Sequence, residues 1–299
     1  MTHDHPDPTL PQSRRATDNP PPSAWSGTGH RRDRTLTARQ AFGLLLLWIV
    51  ISSLGFVQQR LDLPAQFDFL GAPALPQALA TAMLVAGILL FRWRDTAFGI
   101  PKPGTTALLW FPALYLVAFA GTITLLGPPP ADVMIGLFYV TFWIALSEEL
   151  MFRGLLFPAL RRHMRLWPAI GATCALFGAI HLMNALENGD LPGAIVQTIA
   201  ATMTGFLLLA LRLRCASLWP AILYHMAWNL GVFGIGFAAR GDGDVDVTGS
   251  VIDHNPTAVA LLLLLMLPNA VYAFWLLRHT RTGALPGDVA QSDDQPIPP

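Results

Sequence analysis

Apolar residues run along this chain in long blocks, without the strict polar–apolar alternation of a half-buried or barrel strand. Eight blocks stand out: Ala41–Val57, Leu75–Phe91, Thr105–Leu126, Ala131–Phe152, Pro168–Met183, Pro192–Leu211, Ser217–Ala238 and Pro256–Leu277. Each approaches the roughly 20 apolar residues that a helix needs to cross a bilayer core. Helices satisfy their own backbone hydrogen bonds in lipid. The pattern therefore predicts an all-α polytopic membrane protein with eight transmembrane helices. Two spans open on the same five residues, Leu166-Trp167-Pro168-Ala169-Ile170 and Leu218-Trp219-Pro220-Ala221-Ile222. Proline is tolerated in a first helical turn and tryptophan favours the membrane interface, so this reads as shared helix-start chemistry rather than duplication.

Outside the blocks the chain changes character. Thr2 to Arg34 is filled with Pro and charged residues, and no secretory signal is expected in it. This head and the stretch from Thr282 to Pro299 cannot bury enough apolar surface to offset ordering entropy. The expected organisation is a disordered tail at 1–40, a membrane domain at 41–278 and a second disordered tail at 279–299.

Composition agrees: 53% of residues are hydrophobic and only 13% charged, against roughly a quarter in soluble domains. An ordinary soluble domain is thereby excluded. Lys102 is the only lysine, and the richness in Ala, Leu, Pro and Arg points to a bacterial source. Cys174 and Cys215 have no metal-type spacing and read as small buried residues.

Charge fixes an expected orientation. If both termini are cytoplasmic, the inner segments hold every Lys and Arg except Arg60 and Arg240. The outer loops then hold Asp62, Asp68, Asp132, Glu187, Asp190, Asp242, Asp244, Asp246 and Asp253. This is the sorting that the positive-inside rule requires. The expected location is the bacterial inner (cytoplasmic) membrane, multi-pass, in contact with membrane lipids. No nucleic-acid partner is expected, and the acidic stretch Gly241–Asp246 reads as a solvated outer loop. Gly231, Gly234 and Gly236 are expected to permit close helix packing.

Ionisable groups inside a span are costly and so are functional candidates. The spans contain Glu148 and Glu149, closed by Arg153, then His181, then His225 with Asn229. Neighbouring helical residues point about 100° apart, whereas residues four apart share a face. Glu149 should therefore pair with Arg153, leaving Glu148 free, and His225 should share a face with Asn229. Taken singly, each has a bland reading: the acids could snorkel to the interface, and His or Asn could join helices by hydrogen bonds. Taken together, a carboxylate, two imidazoles and a carboxamide are the parts of a water-activating hydrolytic site. The same Glu148, His181 and His225 could instead hold a divalent metal such as zinc with an open position for water. No H-E-x-x-H occurs. At about 1.5 Å per residue, His181 lies roughly 20 Å from Pro168, whereas Glu148 and His225 lie roughly 8 Å from Arg153 and Pro220. For the three to meet, the fifth span must begin below the inner interface or tilt.

Three motifs in order, Glu148-Glu149-Leu150-Met151-Phe152-Arg153, Phe177 to His181, and His225 to Asn229, resemble those of the CAAX-processing and bacteriocin-immunity (CPBP or Abi) membrane proteins. The resemblance covers a core of about 131–238. It implies an intramembrane endopeptidase, metallo- or glutamate-type, opening toward the cytosol and acting on membrane-associated or lipidated peptides or proteins. In it Glu148 and His181 would activate water, His225 and Asn229 would form the oxyanion hole, and Arg153 would hold the first motif. It leaves the substrate of a bacterial member open. Two other classes compete: a non-catalytic scaffold or bacteriocin-immunity protein of the same architecture, and a proton-coupled transporter. The transporter predicts repeated halves with broken helices, and no such symmetry is visible.

Overall fold

A computed structural model describes residues 36–55, 74–93, 96–240, 256–278 and 280. Every regular element among them is helical. In chain order these are α1 (Ala38–Ser52), α2 (Leu75–Phe91), α3 (Trp110–Leu126), α4 (Ala131–Glu149), α5 (Phe157–Arg161), α6 (Leu166–Ala179), α7 (Asn184–Asn188), α8 (Leu191–Cys215), α9 (Trp219–Arg240) and α10 (Pro256–Leu277). Short 3-10 turns precede α3 (Thr105–Leu109) and follow α6 (Ile180–Met183), and a π-helical stretch, Leu150–Leu156, joins α4 to α5.

Six of these helical stretches are long and apolar enough to cross a membrane, running Thr105–Leu126, Ala131–Arg161, Leu166–Leu186, Leu191–Cys215, Trp219–Ala239 and Val259–Leu277. The expected first two spans, α1 and α2, are apolar but shorter. The first helix also starts earlier than its apolar run indicated. Thr37 caps it: its Oγ1 accepts from the Gln40 N–H at 3.3 Å, and its own N–H donates to Gln40 Oε1 at 3.0 Å. This reciprocal capping box starts the helix at Ala38, three residues before the apolar run. Apart from residues 36–40 and 280, both expected tails lie outside the described residues, as do Arg60, Asp62, Asp68 and the acidic stretch Gly241–Asp246.

The repeated Leu-Trp-Pro-Ala-Ile does mark helix starts, at Leu166 and Trp219. The second start is held from outside. The segment around Phe98 folds against it, with Leu218 N–H donating to Ala97 O at 2.8 Å and Ser217 Oγ–H to Gly99 O at 2.7 Å.

Helix α8 forms the spine, packing on α6, α9 and α10, while α9 also packs on α3 and α4. Close approach depends on missing side chains. A Cβ on Gly178 would stand 2.6 Å from Thr198 O across the α6–α8 contact. Gly231 and Gly234 admit Phe119 and Ile123 of α3, where a Cβ on Gly234 would lie 2.9 Å from Ile123 Cδ1. Both cysteines are free and buried.

All residues of the π turn are buried. Two local features account for the turn. Pro158 has no N–H, and in an α-helix its ring would meet the carbonyl four residues earlier. The Phe157 N–H reaches back five residues, to Phe152 O, widening the ladder before that clash. Gly154 sits inside the turn, where a Cβ would stand 3.0 Å from Leu150 Cδ1 and 3.2 Å from Leu218 Cδ1.

Candidate active site

Glu148 and Glu149 close α4 immediately before the π turn, and Arg153 lies within that turn. The Arg153 Nη1–H donates to Glu149 Oε1 at 2.9 Å, with both side chains fully buried. A second arm, Nη2–H, donates to the Gly205 carbonyl of α8 at 3.0 Å. The guanidinium also lies over the Phe177 ring, 4.0 Å from its centroid. Arginine suits this place because one planar fork meets a carboxylate, a carbonyl and an aromatic face together.

His225, on α9, joins the same group. Its Nδ1 lies 2.9 Å from Glu149 Oε1. The ion pair with Arg153 keeps that oxygen an acceptor, so Nδ1 carries the proton. The other ring nitrogen, Nε2, then faces Glu148 Oε2 at 3.8 Å, with both side chains almost wholly buried. Glu148 Oε2 has no hydrogen-bond partner among the described residues. A gap of that size exceeds a direct hydrogen bond and suits a water touching both groups.

His181 sits on the 3-10 turn after α6, where the Leu166–Leu186 helical stretch tightens. Its Nδ1 lies 3.0 Å from Phe177 O, and a carbonyl can only accept, so Nδ1 is again the protonated nitrogen. Phe177 touches both imidazoles edge-to-face, with ring centroids 5.4 Å from His181 and 5.9 Å from His225. Glu148 and His225 are both within electrostatic reach of His181. Asn229 follows one turn after His225 on α9 and is partly exposed.

The structure thus gathers Arg153, His181 and His225 around the Phe177 ring, with His225 between the carboxylates of Glu148 and Glu149. Sequence reasoning anticipated the Glu149–Arg153 pair but not the Glu149–His225 bond, which joins residues on separate helices. It also missed Gly205, where a Cβ would stand 2.8 Å from Phe177 Cδ1 and 3.1 Å from Arg153 Nη2. No local signal marks either.

Residues 130–231 match the family described as Rce1-like: type II CAAX prenyl endopeptidase Rce1-like. The matched segment holds all six candidate residues and runs from the start of α4 to the middle of α9. Helices α1, α2, α3 and α10 lie outside the match. No curated protein and no solved structure matches the chain.

A zinc or similar ion, expected on Glu148, His181 and His225 if on any residues, requires three converging ligands. Among the described residues no three His, Cys, Asp or Glu side chains group in that way. Glu148 and His225 converge, but two ligands do not make a site, and no step below passes through a metal.

Proposed function

We propose that the protein is an intramembrane endopeptidase that hydrolyses membrane-associated or lipidated peptides with water activated by Glu148. The observation that carries this reading is the opposition of the unpartnered Glu148 Oε2 and His225 Nε2 at 3.8 Å inside a buried polar cluster. A water held there can lose a proton to Glu148 while its oxygen attacks the peptide carbonyl carbon. The His181 imidazole, its Nδ1–H engaged by Phe177 O, leaves Nε2 to orient that water. His225, doubly protonated before substrate binds and unchanged through the cycle, donates from Nε2–H to the oxyanion, with the Asn229 amide as second donor, while Nδ1–H stays on Glu149. Glu148 then returns its proton to the leaving amine nitrogen as the C–N bond breaks, giving a carboxylic acid and an amine. Arg153 holds Glu149 in place throughout, so neighbouring glutamates serve as base and as holder.

The same reading places α1 and α2 in the membrane beside the six longer helices, with both termini on the cytoplasmic side of a bacterial inner membrane. The sorting of Lys and Arg supports it.

The test is a panel of Glu148→Ala, His181→Ala, His225→Ala and Asn229→Ala, purified in detergent. Each is assayed with a quenched-fluorescence peptide ending in a farnesylated C-a-a-X sequence, beside its unlipidated twin. Cleavage by the wild type that is abolished in Glu148→Ala supports the proposal. Cleavage that survives Glu148→Ala rejects it. Near-stoichiometric zinc in the wild type, lost from both Glu148→Ala and His225→Ala, would replace the metal-free route with a metal-dependent one.

A further inference from the structure

The glutamate pair sits where an α-helix gives way to a π turn, and the Arg153–Glu149 bond ties that stretch to itself. The Arg153–Gly205 and Glu149–His225 bonds hold it against α8 and α9, and it also packs on α1. The α1 helix, outside the segment similar to the Rce1-like family, buries Ala41, Leu45 and Trp48 along one face. A buried stripe alone would be ordinary core packing. Trp48 does more: its indole N–H donates to Ser147 Oγ at 2.7 Å, with Trp48 only 3% exposed and Ser147 fully buried. Ser147 immediately precedes Glu148. The same indole meets Phe152 edge-to-face, with ring centroids 5.8 Å apart and an interplanar angle of 86°. Phe152 in turn meets Phe177 at 5.2 Å, and Phe177 carries Arg153 and both imidazoles. Trp48 therefore grips the chain on both sides of the glutamates, through a hydrogen bond before them and a ring contact after them.

We propose that Trp48 is a positioning residue for the active site, holding Glu148 and Glu149 in register with His225 across the π turn. The proposal rests on the hydrolytic reading above and assigns α1 a part in it. A buried indole N–H needs a partner, and Ser147 Oγ supplies it, so sliding of α4 along α1 would orphan both groups. The contact is short and directional, whereas the aliphatic contacts of α1 tolerate small shifts.

The experiment compares full-length Trp48→Phe, which keeps a ring and loses the N–H, with Trp48→Leu, Ser147→Ala and the Trp48→Phe/Ser147→Ala pair. Two quantities are read: kcat and KM on the reporter peptide, and the ¹⁵N resonances of His225, assigned by their loss in His225→Gln. Trp48→Phe should lower kcat by on the order of tenfold to a hundredfold with KM nearly unchanged, and should shift the His225 resonances. The paired variant should lose no more than Trp48→Phe alone, because both changes break one bond. If all variants merely melt at lower temperature, with kcat and the His225 resonances of the folded protein unchanged, Trp48 is core and the proposal is overturned. Glu148→Gln runs alongside. Wild-type cleavage by that variant would reject the hydrolytic reading itself, and the His225 resonances would still decide whether Trp48 sets the register.

Discussion

Replacing Arg153 with Met keeps much of the side-chain length and removes the charge from a fully buried position. The guanidinium there bonds to Glu149 at 2.9 Å and to Gly205 O at 3.0 Å, and lies 4.0 Å over Phe177. Breaking a buried ion pair from one side costs about 3–5 kcal/mol, chiefly because the remaining charge stays desolvated. The lost cation–π contact adds up to about 2 kcal/mol in a desolvated setting. Glu149 keeps its bond to His225, which places the expected loss near the low end, about 3 kcal/mol. The stranded carboxylate is the main cost, so adding Glu149→Leu should recover much of the stability while activity stays lost. Arg153→Lys should fall between, since an ammonium cannot reach Glu149, Gly205 and Phe177 at once. Reversible unfolding in mixed micelles, titrated with a denaturing detergent, measures these differences. A loss below about 1 kcal/mol in Arg153→Met, or a paired variant as unstable as the sum of the singles, would refute the reasoning.

Three further outcomes follow from the same contacts. Gly205→Ala would force a Cβ to within 2.8 Å of Phe177, so thermal unfolding should show a loss of roughly 1–3 kcal/mol together with a fall in kcat. Glu149→Gln removes the charge holding His225 Nδ1–H and should lower kcat by roughly tenfold or more, leaving KM nearly unchanged in steady-state assays. Asn269, fully buried on α10, has neither carboxamide atom hydrogen-bonded to a described residue. Asn269→Leu should therefore raise stability by about 1–3 kcal/mol without altering cleavage, and a lower melting temperature would show that the amide is satisfied after all.

The helices were legible because lipid leaves the backbone little choice: Leu75–Phe91 and Pro256–Leu277 agree with their apolar runs at both ends. The start of α1 was legible too, in Thr37-x-x-Gln40, though hydropathy alone put it at Ala41. Contacts set by helical spacing, such as Glu149 with Arg153, could be read from residue numbers. Contacts made across helices could not. The Glu149–His225 bond, the Trp48–Ser147 bond and the notch at Gly205 depend on how α1, α8 and α9 meet α4. The room at Gly154 is bounded by Leu218, far along the chain from it. The 3-10 turn beneath His181 was likewise hidden, since its apolar flanks read as one unbroken helix.

The central claim is that the carboxylate of Glu148 activates the water that cuts the peptide. Chemical rescue tests it most directly: Glu148→Ala is assayed with the reporter peptide in the presence and absence of formate, a small carboxylate able to occupy the space left by the side chain. The account predicts no cleavage without formate and partial, concentration-dependent recovery with it, absent from His225→Ala under the same conditions. Wild-type cleavage by Glu148→Ala without formate would contradict it.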